Sequence, residues 1–276
     1  MKYAWFAAVL FAAGACSTGA AQPIVLGQGY EITSAVLGEA RRVNVYVPAA
    51  YATSGKSYPV LYLIDGGVDQ DFIHIAGLSQ HASISASFRE MIVVGIVTQD
   101  RRRELTFPAV NDATLKKDYP THGESAKFRA FITDEVKPWV TRNYRTDGQD
   151  AVIGESLAGL FVIETFLKQP ALFDGYIAID PSLWWDDGAL ARQAKDIPAA
   201  RSEPAGGERA MYMAVAQGEP AMRTPQAAMA QTLRDARGLS FTYDVMDDEQ
   251  HSTIYHRAAL TALRKVFANP PEQSGE

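Results

Sequence analysis

The chain has 276 residues, is 47% hydrophobic and carries a formal charge of −6. That composition suits a globular protein with a substantial core and excludes a disordered chain. The acidic balance gives no support for nucleic-acid binding, and the basic cluster Arg101-Arg102-Arg103 is short and followed at once by Glu104.

Residues 1–21 have the pattern of an export signal. Lys2 supplies a minimal positive region, Ala4 to Ala13 is an apolar run too short to span a bilayer, and small residues lead up to Cys16. Cys16, the single cysteine, is preceded by small residues as in a bacterial lipoprotein box, although Ala13 stands where a larger aliphatic is usual. Two processing routes are open: lipidation at Cys16, or plain cleavage nearby, for example after Ala21. Both predict a protein of the periplasm or cell envelope, with membrane contact only through an N-terminal lipid anchor if Cys16 is lipidated. Neither leaves a disulfide, so stability has to come from the core.

Tyr30 to Ser34 and Arg41 to Val47 are predicted to pair as a hairpin around Leu37-Gly38, and "RRVNVYVP" alternates as a half-exposed antiparallel strand does. The pattern then changes. Tyr58 to Asp65, Met91 to Val97, Ala151 to Gly154, Gly175 to Asp180 and Ala210 to Ala216 are near-continuous apolar runs. Such runs belong to strands covered on both faces, hence to a mainly parallel sheet. Ser240 to Met246 alternates more and suits an edge. Between the strands lie helical patterns. The stretch from Ser125 to Tyr144 puts Phe128, Phe131, Ile132, Val136, Trp139 and Val140 on one face. Leu157 to Gln169, Pro225 to Ala236 and Ser252 to Phe267 follow. This is an α/β protein with helices on both faces of one sheet. The connection from Thr98 to Gly123 has little periodicity, and loops of that length tend to be lids or binding loops.

In "VIGESLAG" the strand ends at Gly154 and a helix begins near Leu157. A nucleophile elbow needs small residues two before and two after the serine, and Gly154 and Ala158 stand there. Such a turn lifts the Ser156 hydroxyl above the sheet and aims the Leu157 N–H at a developing oxyanion. The same residues also suit an ordinary N-cap serine. Chain order favours the nucleophile, since a base and an orienting acid have to follow it. Of five histidines, His74, His81 and His122 precede Ser156; His251 lies between the last strand and the last helix, and His256 falls inside that helix. His251 is the candidate base. Glu219, in "AVAQGEP", ranks first as the orienting acid, with Asp180 in "AIDPSLWW" second, and a dyad without an essential acid stays open. Gly66-Gly67-Val68 after "YLID" offers a second oxyanion donor, at the N–H of Gly67 or Val68. Trp184 and Trp185 could wall a substrate site, and Arg101 and Arg103 could hold an anionic or catecholate group at the edge where open α/β sheets bind ligands.

"VLYLIDGG", "IVVGIVTQDRRRELTFP", "IGESLAGLFVIETFLKQPALFDGYIAIDPSLWW" and "EQHS" resemble, in that order, the esterase branch of the α/β-hydrolases. That branch includes the trilactone siderophore (ferri-enterobactin-type) esterases and lies near esterase D and the antigen-85 type enzymes. The resemblance runs from about Tyr30 to Phe267. It implies an α/β-hydrolase fold: a mainly parallel central sheet, an N-terminal antiparallel hairpin, helices on both faces, and one catalytic domain over 22–276. It also implies a nucleophile at Ser156, a base at His251, and an oxyanion hole from the Gly67 region and Leu157. The pattern departs at Asp180, where a serine is expected, at Glu155, often histidine or another polar residue, and at Ala158, usually glycine. The expected activity is an exported serine esterase acting on a small-molecule ester, with no metal or organic cofactor required. Acyl transfer to an alcohol could use the same elbow, and a catalytically silent scaffold would bind a ligand or partner.

Overall fold

The computed structural model describes residues 21–196 and 208–270; Cys16 and the rest of the leader before Ala21 lie outside them. In chain order, β1 (Gln28–Thr33) and β2 (Ala40–Tyr46) precede a single helical turn, α1 (Tyr51–Ser54). Then come β3 (Tyr58–Ile64), α2 (Phe72–Ser85), β4 (Ile92–Ile96), α3 (Arg101–Leu105) and α4 (Ala113–Asp118). Helices α5 (Ser125–Phe131) and α6 (Lys137–Asn143) flank a π-helical segment (Ile132–Val136) and lead into β5 (Thr146–Glu155) and α7 (Leu157–Lys168). The chain continues through β6 (Gly175–Ile179), α8 (Trp185–Gln193), β7 (Arg209–Ala216), α9 (Pro220–Arg234), β8 (Leu239–Met246) and α10 (Ile254–Val266).

The strands form one eight-stranded sheet in the order β1-β2-β4-β3-β5-β6-β7-β8. β2 pairs antiparallel with both β1 and β4, and every later pairing is parallel. Every residue of β3, β4 and β6 is buried, as their unbroken apolar runs require. The strand period of two divides the core. Val60, Tyr62 and Ile64 face one layer with Phe128, Phe131 and Phe161, while Leu61 and Leu63 face the other with Phe72, Ile75 and Leu263. Burying such a side chain contributes roughly 1.5–3 kcal/mol, so the two layers fix the sheet between them. Because the parallel strands run the same way, β3, β4, β5, β6, β7 and β8 all deliver their C-terminal loops to one edge.

Three features differ from the sequence expectations. The long amphipathic helix is widened into a π turn just before Pro138, which has no N–H to return to the Asp134 carbonyl. The Thr98–Gly123 connection is no free lid. It carries α3 and α4 and is tied down by Asp186, whose carboxylate accepts from the N–H groups of Asn111 (2.6 Å) and Asp112 (2.9 Å). Finally, Arg41 is not on an exposed strand face. It is fully buried, with Glu104 bound to both its terminal nitrogens at 2.8 Å and the Val97 carbonyl accepting at 2.7 Å. Removing one partner of a buried pair strands the other charge. Glu104→Ala is therefore expected to cost about 3–5 kcal/mol in a chemical-denaturation measurement, and a loss indistinguishable from zero would contradict this reading.

Candidate active site

Ser156 sits between β5 and α7 with φ 60° and ψ −118°, a conformation that non-glycine residues rarely adopt. Neighbouring contacts hold the turn: the Ser156 N–H donates to the Ile179 carbonyl at 3.0 Å, and the Ser156 carbonyl accepts from Ser182 N–H at 2.9 Å and Leu160 N–H at 3.0 Å. A Cβ on Gly154 would stand 2.6 Å from the Ala158 Cβ and 2.7 Å from its carbonyl carbon, which is why this position needs glycine. The Ser156 side chain makes no capping hydrogen bond to α7. Its Oγ instead lies 3.2 Å from His251 Nε2 and 3.2 Å from Ser182 Oγ.

The other ring nitrogen of His251, Nδ1, lies 2.6 Å from Asp180 Oδ2. An ionised carboxylate can only accept, so Nδ1 carries the proton and Nε2 is left as an acceptor for the serine hydroxyl. Asp180 follows β6, the strand next to β5, and has φ 39°. Its Oδ1 accepts from the Ala216 N–H (3.2 Å) and Gln226 Nε2 (3.0 Å). Gln226 is fully buried on α9 and also donates to the Pro181 carbonyl. The His251 loop is braced in turn: Thr253 Oγ1 accepts from Gln250 N–H at 3.0 Å and donates to Glu249 Oε2 at 2.6 Å.

Two sequence rankings change. Glu219 does not reach His251. It lies beyond the end of β7, one strand farther from Ser156, where its carbonyl starts α9 and its side chain stands exposed at the rim of an open cleft of about 600 Å³ that His251 also lines. Gly67 is not a vacant oxyanion donor either, because its N–H donates to Gln70 Oε1 at 2.9 Å. The neighbouring Val68 N–H has no partner among the described residues, and neither does the Leu157 N–H in the first turn of α7. Gly66 lets this loop pass tightly over β4, since a Cβ there would fall 2.2 Å from Gly95.

A family model described as Putative esterase matches residues 34–263. The chain belongs to this esterase family. Two curated relatives are the ferri-bacillibactin esterase BesA of Bacillus subtilis and the siderophore enterobactin esterase of Emericella nidulans. BesA is 30% identical over 47% of this chain and 49% of its own length. The Emericella protein is 29% identical over 51% of this chain and 52% of its own. The chain thus aligns with about half the length of each. Among solved structures, an IroE-like serine hydrolase from Shewanella oneidensis superposes with a TM-score of 0.79 at 27% identity, covering 87% of this chain and 80% of that one. The fold is the α/β-hydrolase type.

In this esterase-family chain the electrostatics of the cluster follow from its contacts. Burial opposes ionisation of Asp180, but hydrogen bonds from His251, the Ala216 N–H and Gln226 more than offset it and hold the carboxyl below its usual range. The hydrogen bond to Asp180 is the main reason His251 is raised above an ordinary histidine, against a smaller opposing effect of burial. A histidine held this way can accept a serine proton and keep the resulting charge beside a carboxylate.

The proposed substrate contacts separate. Trp185 is fully buried and donates from Nε1 to the Phe107 carbonyl at 3.0 Å, so it is core rather than wall. Trp184 is half-buried and borders a cleft of about 670 Å³ with Asp187, Arg192, Pro220 and Pro225. Arg103 is engaged by Glu39 (2.8 Å) and Glu104 (3.0 Å) in the ion cluster around Arg41, away from a substrate role. Arg101 is held on Asp65 by Nε and Nη2, each at 2.9 Å, and keeps partial exposure. Among the described residues no group of three or more His, Cys, Asp or Glu side chains could hold a metal ion, and no helix is long and apolar enough to cross a membrane.

Proposed function

We propose that this protein is an exported esterase that cleaves carboxylic esters through an acyl-enzyme on Ser156. The observation that carries the reading is the line from Asp180 through His251 to Ser156, set on a strained turn with two vacant N–H groups nearby. His251 takes the serine proton as Oγ attacks the ester carbonyl, and the imidazolium is stabilised by Asp180. The N–H groups of Leu157 and Val68 receive the oxyanion. His251 then gives its proton to the departing alcohol. Water, activated by the same imidazole, attacks the acyl-enzyme and regenerates Ser156. Arg101 and Trp184 stand as the contacts for the rest of the substrate. The names of the two curated relatives make a siderophore with several ester bonds the first substrate class to test.

A fluorophosphonate probe is expected to label Ser156 in the folded protein and to block release of acid from a panel of trilactone siderophores, acetylated sugars and short acyl esters. Labelling at another residue, or none, would overturn the assignment.

A further inference from the structure

Glu155 is the last residue of β5 and immediately precedes Ser156. The strand period places it on the Ala151 and Ile153 face, towards α2 and α10. It is half-buried, and its carboxylate makes no hydrogen bond or ion pair among the described residues. Charged and titratable groups converge on it from several elements. His251 comes from the β8–α10 loop, Asp180 from the β6 turn, Asp71 from the start of α2, and Arg101 from α3. Arg101 is itself paired with Asp65 at the end of β3. From α10 comes Tyr255, whose buried hydroxyl has no hydrogen-bond partner among the described residues and feels the charges of Asp71, Glu155 and Asp65. The Asp71 side chain does not cap α2. Two carboxyl groups and a phenol, without fixed partners among the described residues, therefore influence one another on the face of β5 that ends at the nucleophile.

Nothing in the Ser–His–Asp chemistry requires a glutamate here, and a half-buried carboxylate beside others is unfavourable unless its charge is used or suppressed. We propose that Glu155 is a positioning residue for His251: its negative charge, gated by Asp71, supports the imidazolium that forms as Ser156 gives up its proton. The inference rests on the reading of His251 as the base.

The gating follows from mutual repulsion. Burial pushes Glu155 up to about 7, with Asp71 and Asp180 adding to the rise and His251 and Arg101 opposing it. Burial likewise pushes Asp71 up to about 6, helped by Asp65 and opposed by Arg101. Two such groups cannot easily ionise together, so a charged Asp71 delays the ionisation of Glu155. An ionised Glu155 raises the proton affinity of His251, whereas Asp71 acts on Glu155.

Opposite signs test this. Glu155→Gln removes the charge, so the His251 midpoint is expected to fall by about 0.5–1 pH unit, moving the acid limb of kcat/KM to lower pH. Asp71→Asn lets Glu155 ionise more easily, so the midpoint is expected to rise, and the double variant should follow Glu155→Gln. The midpoint is read by ¹H–¹⁵N NMR of the imidazole, which needs no turnover. Failure of the esterase reading is thereby distinguishable from failure of the coupling. An unmoved midpoint in Glu155→Gln, or a shift of the same sign in both single variants, would overturn the proposal.

Discussion

Ser156→Ala is expected to lower kcat for ester hydrolysis on the order of 10⁶-fold, the scale on which serine hydrolases lose activity when the nucleophile is removed. The reason is specific to this geometry. The Ser156 Oγ is the only oxygen of the turn that stands 3.2 Å from an imidazole nitrogen able to accept a proton. Alanine leaves the vacant Leu157 N–H and the substrate cleft in place, so binding should persist while covalent chemistry stops. The Ser156 backbone carries the turn through its hydrogen bonds to Ile179, Ser182 and Leu160, none of which uses the hydroxyl. The variant should therefore keep its denaturation midpoint. His251→Ala is expected to cost nearly as much alone and little more in combination, since the two act as one unit. Retention of more than a small fraction of kcat in Ser156→Ala would remove the acyl-enzyme from the mechanism.

The second large effect is predicted at the acid. Asp180→Asn should lower kcat by about 10⁴-fold, because an amide presents the wrong hydrogen-bonding partner to Nδ1 and stabilises no imidazolium. Glu219→Gln, which alters an exposed side chain that makes no hydrogen bond or ion pair with His251, should leave kcat close to the parent value. The pH profile carries an independent sign. His251 must be neutral to act as base, and Asp180 raises its proton affinity. The acid limb of the parent enzyme should thus lie above the ordinary histidine range. Loss of the Asp180 charge should move that limb to lower pH while the plateau drops. A larger loss in Glu219→Gln than in Asp180→Asn would reverse the assignment.

Chain order brought the sequence reading to Ser156 and His251, since a serine after a buried strand and a histidine after the last strand can meet only if the strands are parallel. It could not choose the acid. Asp180 and Glu219 both follow apolar runs, both precede helices, and both lie between serine and histidine. What separates them is lateral: β6 lies next to β5, and the positive φ at Asp180 turns its carboxylate towards His251 while Gln226 and the Ala216 N–H hold the other oxygen. Gln226 was invisible beforehand, being one polar residue in an Ala-rich helical pattern. Between Gly67 and Val68 the difference is likewise a side chain, Gln70, three residues after the glycine whose N–H it occupies. Helix α2 escaped the sequence reading because its polar and small residues blur the apolar stripe, and Ile73 and Ile84 point outward.

The layered α/β architecture was legible along the chain, because apolar runs long enough for strands and bounded by helical periodicities have few other ways to bury themselves. Residue size also made the tight turn at Ser156 possible, because Gly154 and Ala158 leave room that larger residues would close. Tertiary structure alone decided which charges are structural and which face the site. Arg41, Arg101 and Arg103 differ little on paper. Their roles diverge because Glu104, Asp65 and Glu39 reach them from distant segments. Hydrophobic patterning is local and periodic, so it can be read along the chain. Pairing of charges and the aim of a carboxylate depend on distances of about 3 Å between residues far apart in sequence, and only folding sets those.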